Sequence, residues 1–411
     1  MKTFNNYITE ELNLPVFDNV ATQIMDCDND TVMITTSFVT VEDFKAYCDK
    51  LVAAGLSKVS QRSECGNEFC AFTRGERYVY TYFSRYLSVA RVITGPVEML
   101  GEEDCSDGLE EKYAPKLVTL GQTLRINCGQ GYVFLLPDGR FIIQDGGCRF
   151  EDGRDFVYDA MKSIAPDPDN MVIAAWVISH PHEDHQEAFE DFARMHGDDA
   201  SVTVQRVVFN NIAAKAYIMG REDGGRDNVE NLVHSMYELC SEYLPDTQVV
   251  KAHTGQIFNF GSVKMEVLYT VEDFFPCFGI DYTNGTSIVV RITIAGQTFM
   301  LLGDTTHNSG KILERTWRDY LKSDAMQIAH HGMWPSNPSL YRKYLQSEIM
   351  IWPTHNKDAK LALGMDFADA IYAALEFAKD VYVAGDTNVI YDLPIVIQNN
   401  KDSVIEEIKN M

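Results

Sequence analysis

The six residues His180-Pro181-His182-Glu183-Asp184-His185 put three imidazoles and a carboxylate at the ligand positions of one short loop. In an extended segment alternate side chains share a face, so His180 and His182 project together. Asp184 and His185 follow where the chain turns into a helix beginning near Gln186. Neutral imidazole suits zinc, iron and manganese, and a carboxylate adds charge compensation and a second kind of ligand. The loop therefore reads as a metal site offering two ligand pairs. A solvated polar loop at a strand end accounts for one or two such residues, not for this many together.

The element that must position the loop is the apolar run Met171 to Ile178, read as a strand buried on both faces. The same plan recurs downstream. Thr298 to Leu302 leads into Gly303-Asp304, an apolar stretch ends in Ile328-Ala329-His330-His331-Gly332, and Ile349 to Pro353 enters Thr354-His355-Asn356. Six of the chain's ten histidines thus sit in three short loops, each after an apolar strand. Strand ends converging on one edge of a fold are where such proteins place their chemistry.

The length of 411 residues predicts two domains, 1–116 and 117–411. In the first, β-branched Thr31 to Thr36 reads as a strand, and Val41 to Ala54 has helical periodicity closed by Gly55. Strand-like runs follow near Leu56 to Gln61, Phe69 to Thr73, Tyr78 to Phe83 and Leu87 to Ile93, making a small α+β domain without a chemical motif. A packing or dimerisation module, and with it a homo-oligomer, is the expectation there. The acidic stretch Gly101 to Lys116 reads as a linker.

Sixty acidic against 35 basic residues give a formal net charge of -25, which repels polyanions. With no run of Lys and Arg to override it, long nucleic acid is an unfavourable partner and a small-molecule substrate the expected one. The N-terminal residues lack the apolar core of a signal peptide and no stretch approaches the length of a membrane span, so the expected location is cytoplasmic. Nine scattered cysteines, an odd number without a C-x-x-C unit, argue against a disulfide framework. Cys65 and Cys70 flank a Gly66-Asn67 turn and read as incidental thiols of a hairpin.

His180 to His185 fits the HxHxDH signature of the metallo-β-lactamase superfamily, and the chain over roughly residues 117 to 395 resembles that family in the order of its landmarks. Before the loop, two strands joined by Pro137-Asp138-Gly139 end at Asp145-Gly146-Gly147, and Gly129-Gln130-Gly131 narrows the resemblance to the branch with the soluble domain of bacterial DNA-competence channel proteins. The resemblance implies an α/β fold, an αβ/βα sandwich following the N-terminal α+β domain. It implies two divalent transition-metal ions, zinc first and manganese or iron after it, held by His180, His182, Asp184, His185, Asp304 and His331. Asp304 would be shared by both ions and Asp145 would orient a ligand histidine. Aligning the glycine favours His331 over His330 as ligand, with the opposite assignment open.

Many members carry a further site-one histidine after the strands Ile257 to Phe260 and Val263 to Tyr269; this chain instead has Tyr282-Thr283-Asn284-Gly285-Thr286-Ser287. Site one is then left with His180, His182 and Asp304, completed by water or substrate. Asn284, His330 and Asn356 are expected near substrate, and Asp184 and His355 as catalytic groups, His355 as substrate contact or proton donor. The implied reaction is hydrolysis by an activated water, on a phosphodiester or phosphomonoester first, with nuclease, lactone, lactam or thioester hydrolysis behind it. Flavo-diiron oxidoreductases share the fold but carry Glu at the position of His182 and an added flavin-binding domain. A non-catalytic metal-binding protein is the remaining alternative. Specificity is expected from loops such as Tyr217 to Asp227 and Pro276 to Asn284.

Overall fold

The computed structural model describes residues 14–18, 22–27, 29–121, 129–149, 155–211, 229–274 and 283–411. The stretch Leu124 to Cys128 and the loops Tyr217 to Asp227 and Pro276 to Tyr282 lie outside them. Three sheets organise the described chain. The first has the order β1-β2-β6-β5-β4-β3, with β1 (Thr22–Asp26), β2 (Val32–Ser37), β3 (Ser57–Glu64), β4 (Asn67–Arg74), β5 (Arg77–Ser84) and β6 (Val89–Pro96), every pair antiparallel. Helix α1 (Val41–Ala53) follows β2. Thr40 and Asp43 cap its start reciprocally, and Phe44, Tyr47, Cys48 and Leu51 form its buried stripe.

Both faces of this sheet are apolar, because alternate residues of a strand point opposite ways. Cys70, Phe72, Val79 and Phe83 pack under α1. Phe69, Ala71, Tyr78, Tyr80 and Tyr82 join a core that runs on through Leu268 and Trp317, and the rings of Phe69 and Trp317 stack with centroids 5.7 Å apart. The N-terminal unit is thus packed onto the rest of the chain through a shared core. The stretch between them is pinned as well: buried Arg140 donates to the carbonyl of Cys105, and the Cys105 N–H donates to Asn259.

The second sheet has the order β13-β12-β10-β9-β8-β7-β21, built from β7 (Lys116–Thr119), β8 (Gly131–Leu135), β9 (Phe141–Asp145), β10 (Met171–Val177), β12 (Arg206–Phe209), β13 (Gln248–Lys251) and β21 (Val389–Asp392), with β11 (Val202–Val204) also on β10. The third runs β14-β15-β16-β17-β18-β19-β20, from β14 (Ile257–Phe260) and β15 (Val263–Tyr269) through β16 (Val289–Ile294), β17 (Gln297–Leu301), β18 (Ala325–Gln327) and β19 (Ile349–Trp352) to β20 (Asp380–Val383). The two face each other across Phe134, Ile142, Val177, Val208, Met265, Val290, Ile292, Phe299 and Leu301. Outside the second sheet lie α2 (Phe156–Ile164), α3 (Glu183–His196) and α4 (Val229–Tyr243), whose apolar residues meet Ile143, Trp176 and Phe209. Outside the third lie α5 (Val271–Phe274), α6 (His307–Trp317), α7 (Asn356–Leu363) and α8 (Asp369–Leu375), together with the N-terminal sheet. This is the αβ/βα sandwich, with an α+β unit on one outer face.

Strands β9, β10, β12 and β13 are parallel, as are β17 to β20. Their carboxyl ends therefore gather at one edge, where open α/β sheets place ligands. Helix α3 starts at Glu183 rather than near Gln186, so Asp184 and His185 belong to its first turn. Glu183 and Asp184 are acidic groups that the N-terminal helix dipole stabilises.

Candidate metal centre

Asp304, buried just past β17, is the point on which the donor residues converge. Its Oδ1 lies 3.1 Å from His185 Nε2 and 3.6 Å from His331 Nε2. Asp184 Oδ2 closes that group at 3.1 Å from His331 Nε2 and 3.9 Å from His185 Nε2. Asp304 Oδ2 faces the other way, 3.8 Å from His180 Nε2, which is itself 3.0 Å from His182 Nδ1. Two sets result, Asp184-His185-Asp304-His331 and His180-His182-Asp304, in each of which the donor atoms all lie within 4.8 Å of one another. A tetrahedral ion bound at roughly 2.0–2.2 Å separates its ligand atoms by roughly 3.3–3.6 Å. The separations here bracket that spacing, so the residues present fit two ions sharing a carboxylate.

The hydrogen bonding supports the same fit. His185 Nε2, His331 Nε2 and Asp304 Oδ1 are buried and make no hydrogen bond, an arrangement that costs about 1–3 kcal/mol per group unless something fills it. The opposite ring nitrogens are occupied. His331 Nδ1 is 2.9 Å from the Pro353 carbonyl, so it donates there and leaves Nε2 as the lone-pair nitrogen. His185 Nδ1 is 2.9 Å from Asp145 Oδ2, and His180 Nδ1 is 3.0 Å from Ser179 Oγ and 3.3 Å from Ser287 Oγ. Asp145 gathers this support: it accepts from the Ser179 N–H at 2.7 Å, the Ser179 hydroxyl at 2.9 Å and Gln130 Nε2 at 3.3 Å.

Local backbone geometry serves the site. His330, His331 and Gly332 are all left-handed, with φ of 52°, 54° and 69°, a conformation costing a residue with a Cβ about 1–2 kcal/mol. Trp352 Nε1 donates to the His331 carbonyl at 2.7 Å and the His330 N–H to the Gly303 carbonyl at 3.1 Å, which hold the turn. Gly303 is needed for space as well as its φ of 54°, since a Cβ there would meet the Cβ atoms of Ser287 and Ser179 at 3.0 and 3.1 Å.

In the ion-free cluster burial lowers the pKa of His180, with His185 and His182 adding to it. Burial opposes charge on His331 too, but Asp304 and Asp184 outweigh it and raise its pKa to about 10. For Asp304 and Asp184 burial would raise the pKa, and the surrounding histidines hold both below the carboxylate range. His185 is raised for the reason His331 is. The carboxylates are thus ionised and draw positive charge inward.

The other candidates fall around this centre. Asn284 Nδ2 is 3.3 Å from His330 Nε2, which is 3.4 Å from Asp304 Oδ2. His355 and Asn356 follow Pro353, the acceptor for His331; among the described residues no hydrogen bond or ion pair joins either of them to the donors. His355 Nε2 is buried without a hydrogen bond, and burial, with Lys357, lowers its pKa. His196 pairs with Asp155 at 2.9 Å, and His253 lies in a separate cluster. Sequence reasoning missed Ser179, Gln130 and Trp352 as supports; only their adjacency to the motif residues marked them. The cleft of about 900 Å³ beside Asp138, Arg140 and Asn170 opens at the opposite end of β10 and contains none of the donors.

No family model matches the chain and no curated protein matches it. Solved structures do. The metallo-β-lactamase fold protein YhfI from Bacillus subtilis is 14% identical with a TM-score of 0.40, over 68% of this chain and 100% of that one. CmlA, a diiron β-hydroxylase from Streptomyces venezuelae, is 10% identical with a TM-score of 0.39, over 73% and 55%. A long-form RNase Z from yeast is 13% identical with a TM-score of 0.34, over 74% and 44%; the chain spans about half the length of these last two. At such scores the likenesses carry no weight of their own, and the fold rests on the order and packing of the chain's own strands.

Proposed function

We propose that this chain is a metal-dependent hydrolase acting on a small phosphoester of phosphodiesterase or phosphatase type, within the competence-type branch of the superfamily it resembles. The observation that carries the reading is the sharing of one buried carboxylate, Asp304, between two donor sets. His180, His182 and Asp304 would hold one ion, and Asp184, His185, Asp304 and His331 the other. When bound, two such ions supply a nucleophilic water near neutral pH and neutralise charge developing on the phosphoryl oxygens. Asp184, whose Oδ2 lies 3.1 Å from His331 Nε2, would be a ligand of the second ion and the carboxylate that accepts a proton from the attacking water. Lowered in pKa, His355 is neutral at pH 7, which suits a hydrogen-bond partner for substrate better than a proton donor.

The surroundings favour a compact substrate. Trp334, 58% exposed, stacks on Phe367 with centroids 6.3 Å apart and lies 5.9 Å from the His330 ring, an aromatic wall for a flat leaving group. Arg149, four residues past Asp145, is engaged by Glu187, Glu190 and Asp191 at 3.3–3.9 Å, and the net charge of -25 opposes a polyanion. The donors are imidazole and carboxylate without thiolate, a set suited to zinc, manganese and iron alike, with zinc placed first.

Metal analysis of protein purified without chelator should find about two ions per chain. Turnover of a chromogenic phosphodiester should be compared with degradation of single-stranded DNA in the same low-salt buffer. Efficient DNA degradation, weakening steeply with salt, would make the protein a nuclease instead. A tightly held iron pair without phosphoesterase turnover would favour redox chemistry.

A further inference from the structure

We infer that the seam between the N-terminal sheet and the sandwich holds a second ligand site, separate from the metal centre, for a small uncharged ring compound that presents a carbonyl oxygen. A cavity of about 300 Å³ opens there, between β3, β4 and β5 on one side and residues 100–103 and 255–257 on the other. None of the metal donors lines it. Its size is at the lower end of the range of small-molecule pockets, so the ligand is compact. Phe69, Ala71, Tyr80, Leu100 and Ile257 form its walls, which cover a flat apolar body. The β3–β4 register shifts between Lys58 and Ser60, where Val59 and Ser60 meet the cavity, and a bulge of this kind re-aims the side chains of an edge strand.

Two polar side chains in that lining decide the chemistry of the ligand. Gln256 is 6% exposed, and its Oε1 accepts the His253 N–H at 2.9 Å, which turns the amide nitrogen away from that backbone. The nitrogen is buried and has no hydrogen-bond partner among the described residues. The Arg62 guanidinium lies over the Phe69 ring at 5.0 Å, its Nη2 donates to the Gly255 carbonyl at 2.9 Å, and its Nη1 meets Glu266 at 3.5 Å. Its Nε is buried and, among the described residues, likewise without a hydrogen bond. Both side chains thus hold an unused donor, and a buried donor is costly until an acceptor meets it. Charge selects among acceptors. Glu266 already answers Arg62, and Glu102 and Glu103 stand exposed in the lining of a chain with net charge -25, so a carboxylate is disfavoured. A neutral carbonyl oxygen, with two lone pairs, suits two donors.

The test reads binding at the two donors, by NMR of the full chain with benzamide as the probe. Benzamide should shift the Arg62 Nε–H and Gln256 side-chain amide resonances saturably, with a dissociation constant of about 1 mM, the strength open to so small a ligand. Contacts from its ring protons to the methyl groups of Leu100 and Ile257 should place it between the walls. Benzoate, of the same shape but charged, should bind at least about tenfold more weakly. Gln256→Glu keeps an oxygen for the His253 N–H and removes the donor, and should weaken benzamide about tenfold. Unchanged affinity in that variant would overturn the inference. If the variant fails to fold, the unaltered chain still decides: no shift of either resonance at about 20 mM benzamide, or benzoate binding as tightly as benzamide, would overturn it.

Discussion

Among the described residues, the clusters around His253 and around Asp304 both bury histidine against carboxylate, and they differ in what the ring nitrogens do. His253 lies between the N-terminal sheet and the sandwich, with Nδ1 2.6 Å from Glu272 and Nε2 3.0 Å from the Tyr78 hydroxyl, its ring stacked on Tyr80 at 4.7 Å. Asn210 donates to the same Glu272 oxygen at 3.1 Å, and the adjacent Asp273 accepts from Thr254 at 2.6 Å and Tyr82 at 3.1 Å. Both nitrogens of that histidine are consumed by the protein. Around Asp304 one nitrogen of each of His185 and His331 is consumed, and the other is aimed at a carboxylate oxygen without a hydrogen bond. Residue types alone do not separate the two; the fate of the second nitrogen does. A consumed pair binds two parts of a fold together, whereas convergent lone pairs require an external cation.

The comparison breaks most visibly at Asp304. Asp304→Ala removes the one carboxylate common to both sets, so both ions should be lost on dialysis and phosphoester turnover should fall by more than about a thousandfold. Stoichiometry and initial rates check it, and retention of two tightly held ions would show that Asp304 is not shared. His253→Ala should act in the opposite sense. It leaves Glu272 and Tyr78 buried without their partner, an effect of about 3–5 kcal/mol on unfolding in denaturant, while metal stoichiometry stays as before. Loss of metal with loss of His253 would mean that the two clusters are one.

How far the sequence disclosed this difference varies by element. The apolar strand Met171–Val177 and the ionisable loop after it were legible because a buried strand must end before charges begin. The same held for Asp304 and for the His330-His331 pair, each directly after a strand of the third sheet. Strand β7 overlaps the expected linker only at Lys116 and carries no local signal of its own, since Lys116–Thr119 has only four residues and its partners lie at 131–135 and 389–392. The runs that form β4 and β5 read as strands, but nothing local says that Phe69 and Tyr80 pack against Trp317 and His253. The hairpin turn is Cys65-Gly66, with Asn67 opening β4, because both turn residues adopt positive φ. Which way each imidazole faces depends on the left-handed turn at 330–332, a property of Trp352 and Gly303 as much as of the histidines themselves.

A milder change sharpens the comparison from the supporting side. Asp145→Asn keeps shape but removes the charge that holds His185 Nδ1 at 2.9 Å, and leaves Ser179 with a weaker acceptor. Metal affinity of the set containing His185 should fall about 10–100-fold, read by competition with a chromophoric chelator. Affinity equal to that of the unaltered chain would make Asp145 part of the sheet edge only, a consumed polar group of the His253 kind.

The smallest predicted effect is on protons. His331 in the ion-free protein has its pKa raised to about 10 by Asp304 and Asp184 against the opposing effect of burial, whereas an unfolded histidine titrates at about 6.5. Protonated His331 therefore adds stability to the ion-free fold that is complete below about pH 6.5 and is lost as pH rises through about 10. A ligand imidazole must be neutral, so an ion displaces that proton, and the proton on His185, whose pKa is raised in the same direction. Binding near pH 8 should release about one proton per chain from His331, with a further contribution from His185, and the release should fall as pH passes about 10; calorimetry in buffers of different ionisation enthalpy measures it. The chelated protein should melt progressively lower from pH 7 to pH 10, while the metal-loaded protein, with no proton left at His331 to lose, should not follow that decline. A level curve for the chelated protein would mean that Asp304 holds no protonated histidine in the absence of metal, and the contrast between the two clusters would then rest on geometry alone.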